Sequence, residues 1–302
     1  MPTADLRVER HEVTSRDERL DRISEAIHSV GSTVQTCLAY VRTMTEQTET
    51  QRPLSEIKAS IAAQGIDLSD GSFERFLLTS TARQSLERLE AMPLTAGVKG
   101  LCRQAFARYA DPRHRCDLTG SSFAAYCKIA SLRRFPAGQF DWEPSGLPRS
   151  WLPRIRPLRA LWSTLKLVTR MRAFGPMFCI HMGTGGRNFA LLEREAERSY
   201  HRMARCLELQ PEMHGVITAS WLFSSDTYAI SPHLAWLTRV FRENGGIVAT
   251  MGPDDPSSGV LHRSPERRRA YESGTWKPTV GLVIWPRQEM LDWAARHPEL
   301  ES

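Results

Sequence analysis

The chain has 302 residues, 41% of them hydrophobic and 25% charged, and carries a formal net charge of +6. These proportions are normal for a globular protein, and the longest apolar run is too short to span a bilayer. The N-terminal segment MPTADLRVERHEV lacks the apolar core of a signal peptide, so we expect a cytoplasmic protein with no transmembrane segment. The mild positive charge suits an anionic ligand as well as nucleic acid and does not choose between them.

The cysteines exclude two common kinds of site. None of the six stands in CxxC spacing, so the sequence encodes neither a zinc ribbon nor a thioredoxin-type redox pair. The sequence also has no HExxH motif and no His/Cys cluster, and we therefore predict no metal site. Scattered single cysteines in a chain of this size indicate free thiols in a reducing compartment.

Apolar periodicity predicts a helical N-terminal region. Leu20, Ile23 and Ile27 recur at the spacing of one helix face. Further helical stretches are predicted at 72–92 and 95–109. We therefore expect residues 1–124 to be helical.

From residue 125 the pattern changes to alternating strands and helices. Short apolar and β-branched runs predict strands at 176–182, 214–223, 246–251 and 278–286. Amphipathic segments predict helices at 158–172, 190–209, 231–246 and 287–297. The first of these helices is expected to bury one stripe, formed by Leu158, Leu161, Trp162, Leu165 and Val168. The sequence therefore predicts an α+β protein, in which a helical N-terminal region (1–124) precedes a mixed α/β sheet domain (125–302).

Three glycines separate a predicted strand from a predicted helix in the segment HMGTGGRN (181–188). Unpaired N–H groups at a helix start and the positive end of the helix dipole favour a phosphate there, and glycines let the backbone approach it. The Rossmann GxGxxG and the Walker GxxxxGK[ST] patterns are both absent. A plain strand-to-helix turn, with glycines for positive φ, is the alternative that these residues leave open.

The order of strand, glycine loop, long helix, strand, helix and strand over residues 176–252 resembles the C-terminal half of the GCN5-related N-acetyltransferases (GNAT). Those enzymes carry Q/R-x-x-G-x-G/A at the loop, where backbone N–H groups hold the pyrophosphate of coenzyme A. Ile180, Gly183 and Gly185 stand at the matching positions, and Ile180 departs from the Gln or Arg. The resemblance implies acyl-CoA as the bound cosubstrate, held by Gly183, Thr184, Gly185, Gly186, Arg187 and Asn188.

The resemblance also implies a bacterial-type acyl-CoA-dependent N-acyltransferase that acts on an amine-bearing small molecule. Such a reaction needs a base that takes a proton from the amine. The candidates are His181, at the end of the strand before the loop, and Asp226 with Tyr228, after the next strand. Ligands of open α/β sheets gather beyond the carboxyl ends of strands, where all three residues are expected. A histidine packed at a strand end is the alternative for His181.

Residues 131–142 are expected to form a short hairpin or a structured loop. Residues 135–157 combine aromatic, acidic and proline residues, which indicates a rigid surface loop that gates or recognises a substrate, or a loop that only supports the scaffold. Within this segment Asp141, Trp142 and Glu143 form a candidate substrate site, because the two carboxylates can bind an amine.

A non-catalytic binding or regulatory protein is the alternative function. It would use the aromatic loop 135–151 and the basic stretch 149–172, which has seven positive residues and no acidic one. A second basic cluster, RSPERRRA (263–270), falls in a predicted loop. Neither basic segment is interleaved with aromatic residues as platforms for single-stranded nucleic acid are, so nucleic acid is not expected as a partner.

Overall fold

The protein was analysed as a computed structural model, which describes residues 21–45, 47–111, 120–156, 158–171, 174–183, 191–255, 260–261 and 264–301. The chain forms two compact units: residues 1–92 with 99–134, and residues 93–98 with 135–302. Within the described residues, no helix combines the length and the apolar character needed to cross a bilayer.

The first unit is helical, as the sequence predicts. Its helices are α1 (21–29), α2 (Val34–Thr43), α3 (Thr48–Ala63), α4 (Ser72–Ala91), α5 (Ala96–Ala110) and α6 (Gly120–Ala130). The first residues of α5 belong to the segment 93–98, which is part of the second unit. Helix α2 begins at a Thr33 cap, whose hydroxyl accepts the Thr36 N–H at 3.1 Å. The predicted boundary between residues 124 and 125 falls within helix α6, and the long segment of the second unit begins at Phe135. The division of the chain into a helical region (1–124) and a ligand-binding domain (125–302) stays a prediction.

The second unit is built on a six-stranded mixed sheet. Its strands are β1 (Phe135–Pro136), β2 (Phe140–Ser145), β3 (Met177–Met182), β4 (Gly215–Ser220), β5 (Ile247–Pro253) and β6 (Thr279–Pro286). They lie in the order β1-β2-β3-β4-β6-β5, and the β3–β4 pair is parallel while the other pairs are antiparallel. The four predicted strands and the predicted hairpin are confirmed. The α+β fold class is therefore confirmed as well.

The helices of the second unit separate its strands. They are α7 (Leu158–Met171), α8 (Glu193–Glu208), α9 (Ser225–Ile230), α10 (Arg239–Glu243), α11 (Pro265–Glu272) and α12 (Arg287–Ala295). Helix α8 connects the parallel strands β3 and β4, as a crossover between parallel strands requires. The predicted helix 231–246 is instead a 3₁₀ helix, Pro232–Thr238, that continues into α10.

One face of the sheet is aromatic and packs against α8. Trp142 on β2 stacks on Phe178 of β3, with ring centroids 3.7 Å apart, and neither ring is exposed. Tyr200 of α8 stacks on Phe140 at 5.2 Å and meets Trp285 of β6 edge to face at 6.3 Å. Buried aromatic rings carry a large share of core energetics, so this face anchors α8 over the strands.

The opposite face is aliphatic and packs against α7. Val168 of α7 is fully buried in a cluster with Met177, Ile217 and Leu282. Leu161 packs against the same cluster, whereas Trp162 is 66% exposed. The prediction that Trp162 belongs to the buried stripe is therefore wrong, because α7 turns the face of residues 161, 164 and 168 toward the sheet.

The second predicted strand ends earlier than expected. β4 stops at Ser220, whose hydroxyl accepts the Leu222 N–H at 3.3 Å and caps a 3₁₀ turn over Trp221–Phe223. The cap offers the backbone an alternative to the sheet ladder, which explains why strand-forming residues leave the sheet here.

Candidate active site

The parallel ladder between β3 and β4 is short. Phe178 pairs with Val216 and Cys179 pairs with Ile217, and the register contains no further pair among the described residues. Both strands have six residues. They therefore run side by side near their amino ends and are unpaired with each other toward their carboxyl ends.

Each strand keeps its outer neighbour beyond that point. β3 stays paired with β2 as far as Met182, and β4 stays paired with β6 as far as Ser220. A single side-chain bond crosses the start of the opening, from the Thr218 hydroxyl to the Ile180 carbonyl at 3.0 Å. The inner edges of the two strands thus leave a gap at the carboxyl ends of a parallel pair, where ligands of open sheets bind.

His181, on the strand that borders this gap, meets Glu143 of β2. Antiparallel register places Asp141 opposite His181 and Glu143 opposite Cys179, so these four side chains share one face of the sheet. His181 Nε2 lies 3.1 Å from Glu143 Oε1, and the two side chains keep 29% and 19% of their surface exposed. Nε2 is buried, and its contact with Glu143 lacks hydrogen-bond geometry, so the two groups form a close ionic contact. A histidine and a carboxylate placed this close together are candidates for a general base and the residue that positions it.

Asp226 is held in a capping network at the start of α9. The Thr279 hydroxyl donates to Asp226 Oδ2 at 2.7 Å, and Ser224 Oγ lies 2.5 Å from Thr279 Oγ1. The Ser224 hydroxyl also accepts the Asp226 N–H at 3.3 Å as the N-cap of the helix. The Asp226 carboxylate therefore joins α9 to the first residue of β6.

Tyr228 is also engaged within its own segment. Its hydroxyl donates to the Leu222 carbonyl at 2.9 Å. Burial raises the pKa of Tyr228 to about 12, against a weaker opposing hydrogen bond with Thr238. Its hydroxyl consequently stays protonated at neutral pH, which suits a proton donor and not a base.

Replacing Tyr228 by phenylalanine tests this environment. The folded pKa is raised, so the hydroxyl contributes stability below pH 10 that is lost as the pH rises toward 12. We expect the stability difference between the wild type and Tyr228→Phe to shrink by about 1 kcal/mol over that interval, after allowing for partial exposure. Urea unfolding at a series of alkaline pH values measures it. A difference that stays constant with pH would place the hydroxyl in a water-like environment.

Gly183 has a structural requirement of its own. Its N–H donates to the Gln139 carbonyl at 2.9 Å, and an added Cβ would lie 2.7 Å from the same oxygen. This hydrogen bond withdraws the Gly183 N–H from the donors available to a phosphate, which corrects that part of the prediction. The remaining predicted cofactor-binding residues, Thr184, Gly185, Gly186, Arg187 and Asn188, lie outside the described residues.

The predicted substrate-binding residues Asp141, Trp142 and Glu143 do not lie on one surface. Residues 140–145 form β2 and not a surface loop, so alternate side chains point to opposite faces. Trp142 is fully buried in the aromatic core, and Asp141 keeps only 1% of its surface exposed. The assignment of Trp142 to a substrate surface is therefore wrong, whereas Glu143 lies next to His181.

The structure brings together only part of the predicted catalytic set. His181 lies on β3 and its ring contacts β2, whereas Asp226 bonds to β6 on the far side of β4. The sequence prediction missed the pairing of Glu143 with His181. The alternation of side chains along a strand could have indicated this pairing. Glu143 lies two residues after Asp141 and His181 two residues after Cys179, so each pair faces one side of its strand. Within the described residues, no group of three or more His, Cys, Asp or Glu side chains can hold a metal ion.

Comparison with known proteins gives similarities of structure only. No protein-family model matches the sequence, and no curated protein matches it either. Among solved structures, an acyltransferase with decanoyl-CoA and teicoplanin bound aligns with a TM-score of 0.46 at 14% identity, over 73% of this chain and 69% of that one.

Two further structures are similar to the same extent. An acyltransferase mutant with octanoyl-CoA has a TM-score of 0.45 at 13% identity, covering 73% of this chain and 69% of that one. An acyltransferase with decanoyl-CoA has a TM-score of 0.45 at 14% identity, covering 71% and 66%. With TM-scores below 0.5, these similarities assign no activity to this chain.

Proposed function

We propose that the protein is an acyl-CoA-dependent N-acyltransferase of the GNAT type, acting in the cytoplasm on an amine-bearing small molecule. The observation that carries the proposal is the gap between β3 and β4, two parallel strands joined by α8 that pair over only two residues. The resemblance between residues 176–252 and the GNAT family indicates acyl transfer, and the gap is where we propose that acyl-CoA binds.

The gap fits the extended arm of coenzyme A. The pantetheine arm is a narrow chain that carries two amide groups, and an extended chain adds to an open strand edge through backbone hydrogen bonds. Residues 180–182 of β3 and 218–220 of β4 present such edges to each other. An acyl thioester at the end of the arm would then lie inside the sheet, near His181.

The start of α8 is compatible with the pyrophosphate. Its N-cap residue, Leu192, has no side chain that can accept the first N–H groups, so within the described residues no side chain caps these donors. Glu193 and Glu195 lie in the first turn and oppose an anion, but Arg239 and Arg198 pair with them respectively. Binding by Thr184 to Asn188, immediately before this turn, stays part of the proposal.

His181 and Glu143 would perform the proton transfer. The acyl thioester supplies an activated carbonyl carbon, to which the amine nitrogen bonds while the carbon–sulfur bond breaks. His181 takes the proton that the nitrogen loses, and the departing thiolate takes a proton from water or an acid. Glu143, whose Oε1 lies 3.1 Å from Nε2, would place a negative charge next to the imidazolium that forms.

The aromatic surface expected for a non-catalytic binding protein is largely buried. Phe135, Phe140 and Trp142, which were expected to form an exposed aromatic loop, are buried within the core. Of the basic stretch 149–172, Trp162 remains as an exposed aromatic side chain. One exposed ring among positive residues does not build a docking surface comparable to the β3–β4 gap.

Thermal unfolding with added cofactors tests the proposal directly. A ligand at a hundredfold excess over its Kd stabilises the native state by about 2.7 kcal/mol. We expect CoA and acyl-CoA thioesters to raise the melting temperature, and ATP, NAD and S-adenosylmethionine to leave it unchanged. Comparing acetyl-, octanoyl- and decanoyl-CoA measures which acyl length the gap accepts.

The Gly185→Asp variant serves as the matched control. A carboxylate at this position repels phosphate, so the shift with CoA should disappear while the melting temperature without ligand is little changed. Absence of any shift with millimolar CoA thioesters would overturn the proposal. A shift that persists in Gly185→Asp would move the pyrophosphate away from the glycine loop.

A further inference from the structure

Arg267 is a buried arginine. It lies on α11, which replaces the loop predicted for RSPERRRA because Ser264 caps the helix and its hydroxyl accepts the Arg267 N–H at 3.2 Å. The helix turns Arg267 inward, to 4% exposure, and leaves Arg268 and Arg269 exposed. Arginine is rarely this buried unless its charge is paired.

The guanidinium is fixed on three sides. Its Nε donates to the Val260 carbonyl at 2.7 Å and its Nη1 to the Ser231 hydroxyl at 2.9 Å. The Trp221 ring lies beneath it, 4.7 Å from the guanidinium carbon to the ring centroid. A guanidinium has five N–H donors, and these contacts use two of them. The other three, including both on Nη2, make no hydrogen bond with a described residue.

No described carboxylate neutralises this charge. Glu266, the adjacent acid, is exposed and instead accepts the Ser264 hydroxyl at 3.0 Å and lies 3.5 Å from Arg269. The neighbouring segments that the structure does not describe read PSSG (256–259) and HR (262–263), so they contribute no acid. Burial lowers the pKa of Arg267, and Glu266 offsets this only in part. A buried cation without a counter-charge destabilises the folded state, and an anionic ligand would relieve that cost.

We propose that Arg267 is an anion-binding residue, whose ligand is the carboxylate or phosphate group of a small molecule held by the free guanidinium N–H groups. Trp221 follows Ser220, the last residue of β4, so the site lies at the carboxyl end of that strand. This edge is where open sheets bind ligands. The inference does not rest on acyl transfer.

The surroundings favour an arginine and not a lysine. Trp221 and the two fixed donors hold the guanidinium plane in one orientation, so its remaining N–H groups point in set directions. A planar fork of this kind matches the oxygen atoms of carboxylate and phosphate, whereas an ammonium acts as a point charge. A purely structural Arg267 would tie Val260, Ser231 and Trp221 together, and its contribution to stability would not depend on anions.

Nuclear magnetic resonance of arginine side chains separates these two roles. The Nε–Hε signal of Arg267, assigned by its loss in Arg267→Lys, is followed in ¹⁵N-labelled full-length protein. Potassium phosphate and potassium acetate are each added at millimolar concentration, with potassium chloride at equal ionic strength as reference. We expect a saturable shift with one of the two anions, together with a rise in melting temperature. Arg267→Lys should weaken that anion's Kd by about tenfold or more.

The Arg269→Lys variant is the matched control, because Arg269 is exposed on the same helix. It should bind the anion as the wild type does. Saturation by phosphate alone identifies a phosphate-bearing ligand, and saturation by acetate alone identifies a carboxylate. An Arg267 signal that neither anion moves, or that moves no more than the signals of Arg268 and Arg269, would overturn the proposal. If Arg267→Lys fails to fold, triple-resonance spectra of the wild type assign the Arg267 signal instead, and the wild-type titration still decides the question. Loss of anion binding leaves the CoA thermal-shift result unaffected, so the two proposals fail separately.

Discussion

Replacement of His181 by alanine is expected to lower kcat for acyl transfer by about 10²- to 10⁴-fold, with little change in the KM for acyl-CoA. The reason is that His181 is the ionisable side chain at the end of β3, the strand that borders the gap, with a carboxylate 3.1 Å from its ring. It would remove a proton only as the amine attacks, so its loss affects the transition state more than cosubstrate binding. Steady-state kinetics with a chromogenic assay for released thiol measures both constants.

Rescue by imidazole and the Glu143→Gln variant distinguish a catalytic His181 from a structural one. Added imidazole should restore part of the activity of His181→Ala, which a merely structural histidine would not show. Glu143→Gln should lower kcat by a smaller factor of about ten, because the amide keeps the size of the side chain but removes the negative charge next to the ring as it accepts the proton of the amine. His233→Ala, at an exposed position of the same unit, serves as control and should behave as the wild type. An activity of His181→Ala within twofold of the wild type would remove His181 from the mechanism.

Local patterns in the sequence were sufficient to predict most elements of the sheet unit. Strand β3 is a run of six residues that is apolar except for His181, and α8 combines a charged face with a buried one that includes Tyr200 and Met203. Such signals depend only on neighbours along the chain, because the backbone geometry fixes their period. The α+β fold class could therefore be predicted before any contact was known.

The composition of the site depended on pairing between distant segments. Glu143 faces His181 because β2 pairs with β3 in one register, and a shift by a single residue would have put Trp142 there. The aromatic residues of 135–142 suggested a surface loop, yet their partners are Phe178 and Tyr200. Neither segment contains that information alone, so the sequence could name both residues without joining them.

The buried arginine shows a different limit. The segment RSPERRRA has four arginines, and nothing in their composition distinguishes Arg267 from its neighbours. The Ser-Pro-Glu at 264–266 is a recognisable helix start, with Ser as N-cap and Pro in the first turn, and would have predicted α11. Which arginine faces inward depends on Trp221, 46 positions earlier in the chain, and could not be predicted.

Substitution of Gly281 by alanine is expected to destabilise the sheet unit by about 3 kcal/mol or more. An added Cβ would lie 2.2 Å from the carbonyl carbon and oxygen of Phe223 and 2.5 Å from Ser224 N. These are backbone atoms, so no side-chain rotation can relieve the clash. Displacing Phe223 would also disturb the hydrogen bond between Ser224 and Thr279, which holds the start of β6.

Gly252→Ala is the matched control for this prediction, because Gly252 lies on the neighbouring strand β5 and an added Cβ there meets no atom within 4 Å. It should change stability by no more than about 0.5 kcal/mol. All eight tryptophans lie between residues 142 and 293, so their fluorescence during urea unfolding reports the sheet unit alone. Equal midpoints for the two variants would mean that the turn after β4 can move away from β6. A lower midpoint for Gly281→Ala alone would show that glycine is required where this turn crosses the strand, next to Trp221 and the Asp226 cap.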